Sequence, residues 1–212
     1  CLGAKELYRL AALVLIGRWG SGVNDAGLDP GMFSRQAFRT AIAAEVLGES
    51  TGQVGSHLAY TSGLVNEIGR LAVTLSCGSF LPLVRAHREL RHSTWEEAEN
   101  AVLGFNNAEV SWRLLTAWRF PAILSETARL MAEPVNASGD VAVLVAHVHA
   151  ARFMAAAMDE RRTEEETAHP VHAAFLAERN LDVPKLLGLI PEVEAQVTER
   201  WGSGVLEGIL TS

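Results

Sequence analysis

Cysteine is nearly absent from this sequence: Cys1 and Cys77 are the only two among 212 residues. Two unclustered thiols build neither a disulfide framework nor a zinc site, which fits a reducing compartment, and a cytoplasmic location is expected. A basic excess is missing too. Lys and Arg number 18 against 25 Asp and Glu, for a net charge of −7, whereas binding to phosphate backbones is driven by an excess of cations. The one compact basic stretch, Arg85, His87, Arg88, Arg91 and His92, is diluted by Glu89 and reads as a solvated helix face. No nucleic-acid partner is expected. The apolar stretch Val141–Ala157 is interrupted by His147, His149 and Arg152, so no membrane span or membrane partner is expected either. No basic segment precedes a cleavable apolar run. Strand-like alternation, internal repeats, a Gly-x-Ser-x-Gly elbow and a phosphate-binding Walker loop are all absent.

What is present is helical periodicity. Apolar residues make up 49% of the chain and charged residues 20%, enough to bury a core without a disordered excess of charge. Leu7, Leu10 and Val14 define one apolar face, and Phe38, Ile42 and Val46 another; Gly20–Gly31 reads as the loop between them. Ser93-Thr94-Trp95-Glu96-Glu97 is a capping-box start, with Gly104 as the stop after Leu103. A helix is predicted from Asn107 to Trp118, and Pro121 is expected in the first turn of the next, which ends before Pro134. Val141–Met158 forms a long helix after a turn at Asn136–Asp140. Thr163 with Glu166 is a second capping box. Asp182 with Pro184 opens a final helical stretch that Pro191 is expected to break or kink. The expectation is an all-α multi-helix bundle, one domain over residues 1–212.

One segment is distinctive: Ala59-Tyr60-Thr61-Ser62-Gly63-Leu64-Val65-Asn66-Glu67-Ile68-Gly69-Arg70-Leu71. It resembles the helix of HD-type phosphohydrolases that carries an apolar run, a His-Asp pair and then Ile-Gly. Three further stretches resemble the HDOD subfamily in order and spacing. Phe33–Ala37 through Glu45-Val46-Leu47 is similar to its preceding helix. Glu99 through Leu103-Gly104-Phe105-Asn106-Asn107-Ala108-Glu109-Val110 resembles its Glu…Leu-Gly…His-Ala-Glu-Val segment. Leu114-Leu115-Thr116-Ala117-Trp118-Arg119-Phe120-Pro121 resembles its Leu-Leu-x-x-Trp-x-x-Pro signature. The resemblance is best over residues 1–157, with 158–212 a helical extension of the same domain. HDOD domains carry further helices ahead of the Leu-Gly that is Leu2-Gly3 here. An N-terminal lobe is therefore expected to be missing, and the helix Leu2–Arg18 to offer an apolar face for a possible homodimer.

The resemblance implies a metal site whose ligands are lost. The first His falls at Gln36, the His-Asp pair at Asn66-Glu67, the next His at Asn107, a His-His pair near Met131-Ala132, and the last Asp at Arg152. Neutral amides are poor ligands for a transition metal, Met and Ala offer a hard cation nothing, and Arg repels it. Only Glu67 could still coordinate, so no metal or other cofactor and no catalysis are expected. Among the seven His residues, His147 and His149 point to different helix faces, and His169 and His172 have i, i+3 spacing without a Cys or acidic partner. The carboxylates Glu96, Glu97 and Glu99, and Glu164 to Glu166, are explained as first-turn complements to the helix dipole.

The resemblance also implies a role in bacterial signal transduction through contacts with a protein partner or another domain of the same chain. Trp19, Trp95 and Trp201, at helix ends, read equally as interface anchors or as edge-of-core residues, whereas Trp112 and Trp118 belong to the core. An alternative is a nucleotide sensor, its small-molecule ligand bound by the polar lining Gln36, Asn66 and Asn107; residual phosphohydrolase activity is a third. Finally, a buried Glu67 needs a counter-charge, so an ion pair with Arg152 is expected, ringed by hydrogen bonds from Asn66, Asn107 or Gln36.

Overall fold

The computed structural model describes residues 30–158 and 172–202. Among them are ten α-helices and two short 3-10 turns, and no strand. The order is α1 (Pro30–Thr51), α2 (Ser56–Val65), α3 (Ile68–Cys77), a 3-10 turn (Gly78–Phe80), α4 (Leu81–Arg91) and α5 (Trp95–Leu103). Then follow α6 (Asn107–Ala117), α7 (Ala122–Leu130), a 3-10 turn (Pro134–Asn136), α8 (Asp140–Ala157), α9 (Ala173–Ala177) and α10 (Val183–Gly202). The expected all-α architecture is observed.

The core is built on α1, α2 and α8. In α1, Phe38, Ile42 and Val46 are buried with the small residues Ala37, Ala41, Ala43 and Ala44, so this helix is enclosed on several sides. Its partner α2 runs back antiparallel and approaches so closely that a Cβ on Gly63 would lie 2.8 Å from the Thr40 carbonyl oxygen. Across both lies α8, with thirteen of its eighteen residues buried, which makes it the central helix of the bundle. By length and composition alone α8 is apolar enough to cross a membrane, with a mean hydropathy of 1.3, but it is filled out by its neighbours here. Leu176, Leu186 and Val193 of α9 and α10 join the same core.

The local signals behave as their chemistry requires. Thr94 caps α5 in a full capping box: its hydroxyl accepts from the Glu97 amide, and the Glu97 carboxylate accepts from the Thr94 amide at 2.8 Å. Gly104 ends that helix in the left-handed region, φ +81°. Asn106 caps α6 by accepting from the Glu109 amide, and the Asp182 carboxylate accepts from the Lys185 amide at the start of α10.

Three expectations change, and one of the two readings of Trp201 is met. Pro30 and Gly31 belong to the first turn of α1 rather than to the preceding loop. Pro121 occupies the cap position just ahead of α7. Pro191 does not interrupt α10, which continues from Val183 to Gly202; the exposed position leaves room for the proline ring on the solvent side. Trp201 is an edge-of-core residue, its ring packed edge-on against Phe38 with centroids 5.4 Å apart. The helix Leu2–Arg18, Trp19, the second capping box at Thr163–Glu166 and His169 lie outside the described residues.

Candidate functional site

The junction of α2 and α3 holds the site. α3 packs along α6, and Gly69 is the reason it can: a Cβ there would sit 2.1 Å from the Asn107 carbonyl oxygen and 2.4 Å from the Ser111 amide nitrogen. The bare Gly69 amide donates to Ser111 Oγ at 2.8 Å, sealing the contact. This close approach brings Asn66-Glu67 on one side and Asn107 on the other to a common region.

Arg152 reaches that region from α8. Its Nη2 donates to Glu67 Oε1 at 2.8 Å, with both side chains largely buried, which is the ion pair expected from the sequence. Two further residues complete the charge cluster. Arg70, one turn after Glu67, lies 3.6 Å from the Glu67 carboxylate and 3.7 Å from that of Glu96. Glu96 is itself 3.9 Å from Arg152. Asn107 joins through α5: its backbone N–H and its side-chain amide both donate to Glu99 Oε2, at 2.7 and 2.9 Å, and Nδ2 also lies 3.4 Å from Glu96 Oε1. Charged and amide groups from the α2–α3 junction, α5, α6 and α8 thus hold one another.

Electrostatics follow from burial. Burial pushes the Glu99 carboxyl above its ordinary value, against the opposing pull of Arg70 and of the Asn107 hydrogen bonds. For Arg70 burial works downward, but Glu67, Glu99 and Glu96 outweigh it and leave the guanidinium above its usual range. Arg70 also lies over the Trp95 ring at 5.5 Å, and Arg88 of α4 lies 5.3 Å from the same ring. Trp95 is thus half-buried, with two guanidinium groups against its ring.

The expected ring of amides around the Glu67–Arg152 pair is not observed as drawn. Asn66 Nδ2 donates to the Gly63 carbonyl of its own helix. Asn107 serves Glu96 and Glu99 instead of Glu67. Gln36 Oε1 and Asn66 Oδ1 are buried acceptors without a hydrogen-bond partner. Met131 packs into the apolar core, and Ala132 beside it is half-buried. Arg70, Glu96 and Glu99 were missed by sequence reasoning, which assigned the two glutamates to the helix dipole. The signal was spacing: Glu96 and Glu99 are i, i+3 on one face of α5, as Glu67 and Arg70 are along the chain, whereas Glu97 turns away to cap Thr94.

His147, His149 and His172 are engaged elsewhere. His147 is fully buried in α8, where Nδ1 donates to the Val143 carbonyl and Nε2 meets the Thr51 hydroxyl, both at 2.8 Å. His149 lies against His172, ring centroids 5.3 Å apart. Burial holds His147 below its ordinary value of 6.5, with the Val143 bond opposing and Lys185 assisting. The unfolded chain therefore binds the proton more readily, and the stability His147 contributes is present above pH 6.5 and lost as pH falls below it. Glu99 works with the opposite sign: its raised value favours the folded state below 4.5, and that contribution is lost as pH rises through the shifted value. Urea unfolding across a pH series should show a His147 contribution that shrinks below pH 6.5 against the opposing one of Glu99, and His147→Gln should change the slope by that amount. An unchanged slope would remove His147 as its cause.

Residues 1–134, well over half the chain, match the family model of the HDOD domain. The chain belongs to the HDOD family. No functionally curated protein matches it. Among solved structures, this HDOD chain is similar to an HDOD domain protein of unknown function from Geobacter sulfurreducens, with a TM-score of 0.69 and 17% identity. That alignment covers 92% of this chain and 69% of the other. A Shewanella amazonensis protein, provisionally named a phosphohydrolase, aligns with a TM-score of 0.68 and 21% identity over 97% of this chain and 73% of its own. The MmoQ response regulator from Methylococcus capsulatus aligns at 0.56 and 18%, covering 77% of this chain and 62% of MmoQ. At these identities the likeness shows a shared HDOD fold.

Proposed function

We propose that this HDOD domain is a non-catalytic signalling module that acts through contacts with a protein partner or a neighbouring domain. The observation that carries the reading is the Glu67–Arg152 pair at 2.8 Å. On the family resemblance, Arg152 takes the place of a metal-binding carboxylate, and its guanidinium neutralises the one acidic ligand left. Asn66, Gln36 and Asn107 offer neutral amides where imidazoles would bind. This donor set does not fit a divalent cation: a fixed positive charge lies in the shell, and Glu99 and Glu96 are engaged by Asn107 and Arg70. A signalling role is supported by the family and by the response-regulator name of MmoQ.

Elemental analysis of the purified protein should find no stoichiometric Mn, Fe, Co, Ni or Zn. The double variant Asn66→His with Glu67→Asp should hydrolyse no phosphodiester when supplied with Mn²⁺, because Gln36, Asn107 and Arg152 still stand at the other ligand positions. Near one equivalent of bound metal, or metal-dependent turnover by the double variant, would overturn the reading. A second reading, a nucleotide sensor, is favoured by one observation: the buried, unpartnered acceptors Gln36 Oε1 and Asn66 Oδ1 suit hydrogen-bond donors of a base. Calorimetric titration with nucleotides, repeated on Gln36→Leu, decides it.

A further inference from the structure

Exposed apolar surface is concentrated from the end of α3 through α4. Among the described residues, four of the six large apolar side chains left exposed, Leu75, Phe80, Leu83 and Leu90, fall between residues 75 and 90. α4 turns Leu81 and Val84 inward and leans chiefly on α5. At 100° per residue, its outer side carries Leu83, Ala86 and Leu90 at i, i+3, i+7, with Leu90 78% exposed. Leu81, Pro82, Arg85, Ala86 and Glu89 border a shallow depression along one flank of that stripe.

The charges around this stripe differ in what explains them. Arg88 and Arg91 lie in the last turn, where the helix dipole accounts for them, and Arg88 also stacks on Trp95. Arg85 and Glu89 have no such account. They are exposed, one turn apart on one flank of the stripe, and in no ion pair with each other or with any described residue.

An apolar stripe with a small residue at its centre and opposite charges along one flank is complementary to itself. Lay a second α4 antiparallel across the first, with a two-fold axis at Ala86. Leu83 of each protomer then meets Leu90 of the other, and the paired Ala86 residues let the helices approach. The same flanks face each other in an antiparallel pair, so Arg85 of each protomer opposes Glu89 of the other. Such an isologous two-fold contact is the commonest way for identical chains to associate.

We propose that α4 is a homodimerisation helix and that its occupant is α4 of a second copy of this chain. The proposal deepens, and rests on, the reading of the domain as a protein-contact module. One three-turn helix with Phe80 at its end makes a contact below about 1,200 Å², so the dimer is weak and populated at micromolar concentrations and above.

Sedimentation equilibrium on the purified chain should show monomers giving way to dimers as concentration rises. Leu90→Asp, at an exposed position where folding is unaffected, should leave only monomers. Arg85→Glu alone and Glu89→Arg alone should each raise the dimer Kd by about tenfold, since two symmetric contacts turn repulsive. The two together should restore it, which a folding defect would not do; circular dichroism melts of each variant check the fold. A monomer at every concentration, a dimer indifferent to Leu90→Asp, or a charge-swapped protein no better than its single parents overturns the proposal. Cosedimentation of a monomeric protein with phosphatidylserine vesicles, abolished by Leu90→Asp, overturns it in favour of a lipid surface. Phosphodiester turnover would remove the non-catalytic reading and leave the dimer standing; a monomer without turnover would remove the dimer alone.

Discussion

Arg152→Ala is expected to destabilise the domain by about 3–5 kcal/mol, the cost of stranding buried charge when one member of an ion pair is removed. The guanidinium is 7% exposed and contacts both Glu67 and Glu96. Without it, Arg70 is left alone among Glu67, Glu96 and Glu99, whose carboxylates lie on elements that cannot separate without opening the α3–α6 contact. Chemical unfolding measures the loss. Adding Glu67→Gln to Arg152→Ala should recover much of it, because it removes the stranded charge and keeps the shape. A cost for Arg152→Ala below about 1 kcal/mol would mean that the pair is screened like a surface salt bridge. The cluster would then not organise the site.

Gly69→Ala should cost about 3 kcal/mol or more, though alanine is the better helix former by roughly 0.5–1 kcal/mol in an open helix. The added Cβ would meet backbone, the Asn107 carbonyl oxygen at 2.1 Å and the Ser111 amide at 2.4 Å, so no side-chain rotation relieves it. α3 and α6 must move apart, and Gly69 N–Ser111 Oγ and the Asn107 bonds to Glu99 go with them. Gly188 is the internal control. A Cβ there meets nothing within 4 Å, so Gly188→Ala should stabilise α10 by roughly 0.4–1 kcal/mol. Equal melting shifts for the two variants would show that Gly69 is not a packing glycine.

Much of the architecture was legible because its signals are local. A capping box needs only Thr94 and Glu97, three residues apart, and Gly104 needs only its own backbone freedom. Periodicity placed α1, α6 and α8 for the same reason. Pro191 does not break α10, because proline weakens a helix through one lost hydrogen bond, a cost that packing against the core can offset. Glu96 misled: at the level of sequence, a carboxylate in a first turn is already satisfied by the helix dipole, and nothing local says that it is buried.

The Glu67–Arg152 pair was expected from the resemblance, which sets Arg152 at the last metal-ligand position, together with the need of a buried carboxylate for a counter-charge. What encloses that pair is a different kind of fact. Arg70, Glu96, Glu99 and Asn107 come from α3, α5 and the start of α6, and no spacing along the chain sets the distances between them. Sequence alone determined that this protein is a helical HDOD chain with amides and an arginine at positions where the resemblance implies metal ligands. Only the tertiary structure decided that those residues meet, which carboxylate each cation serves, and that α4 turns an apolar, oppositely charged face outward. Helix identity is a sum of local energies over neighbours in sequence. The charge cluster and the exposed face depend on which helices touch, and that is set by burial summed over the whole core.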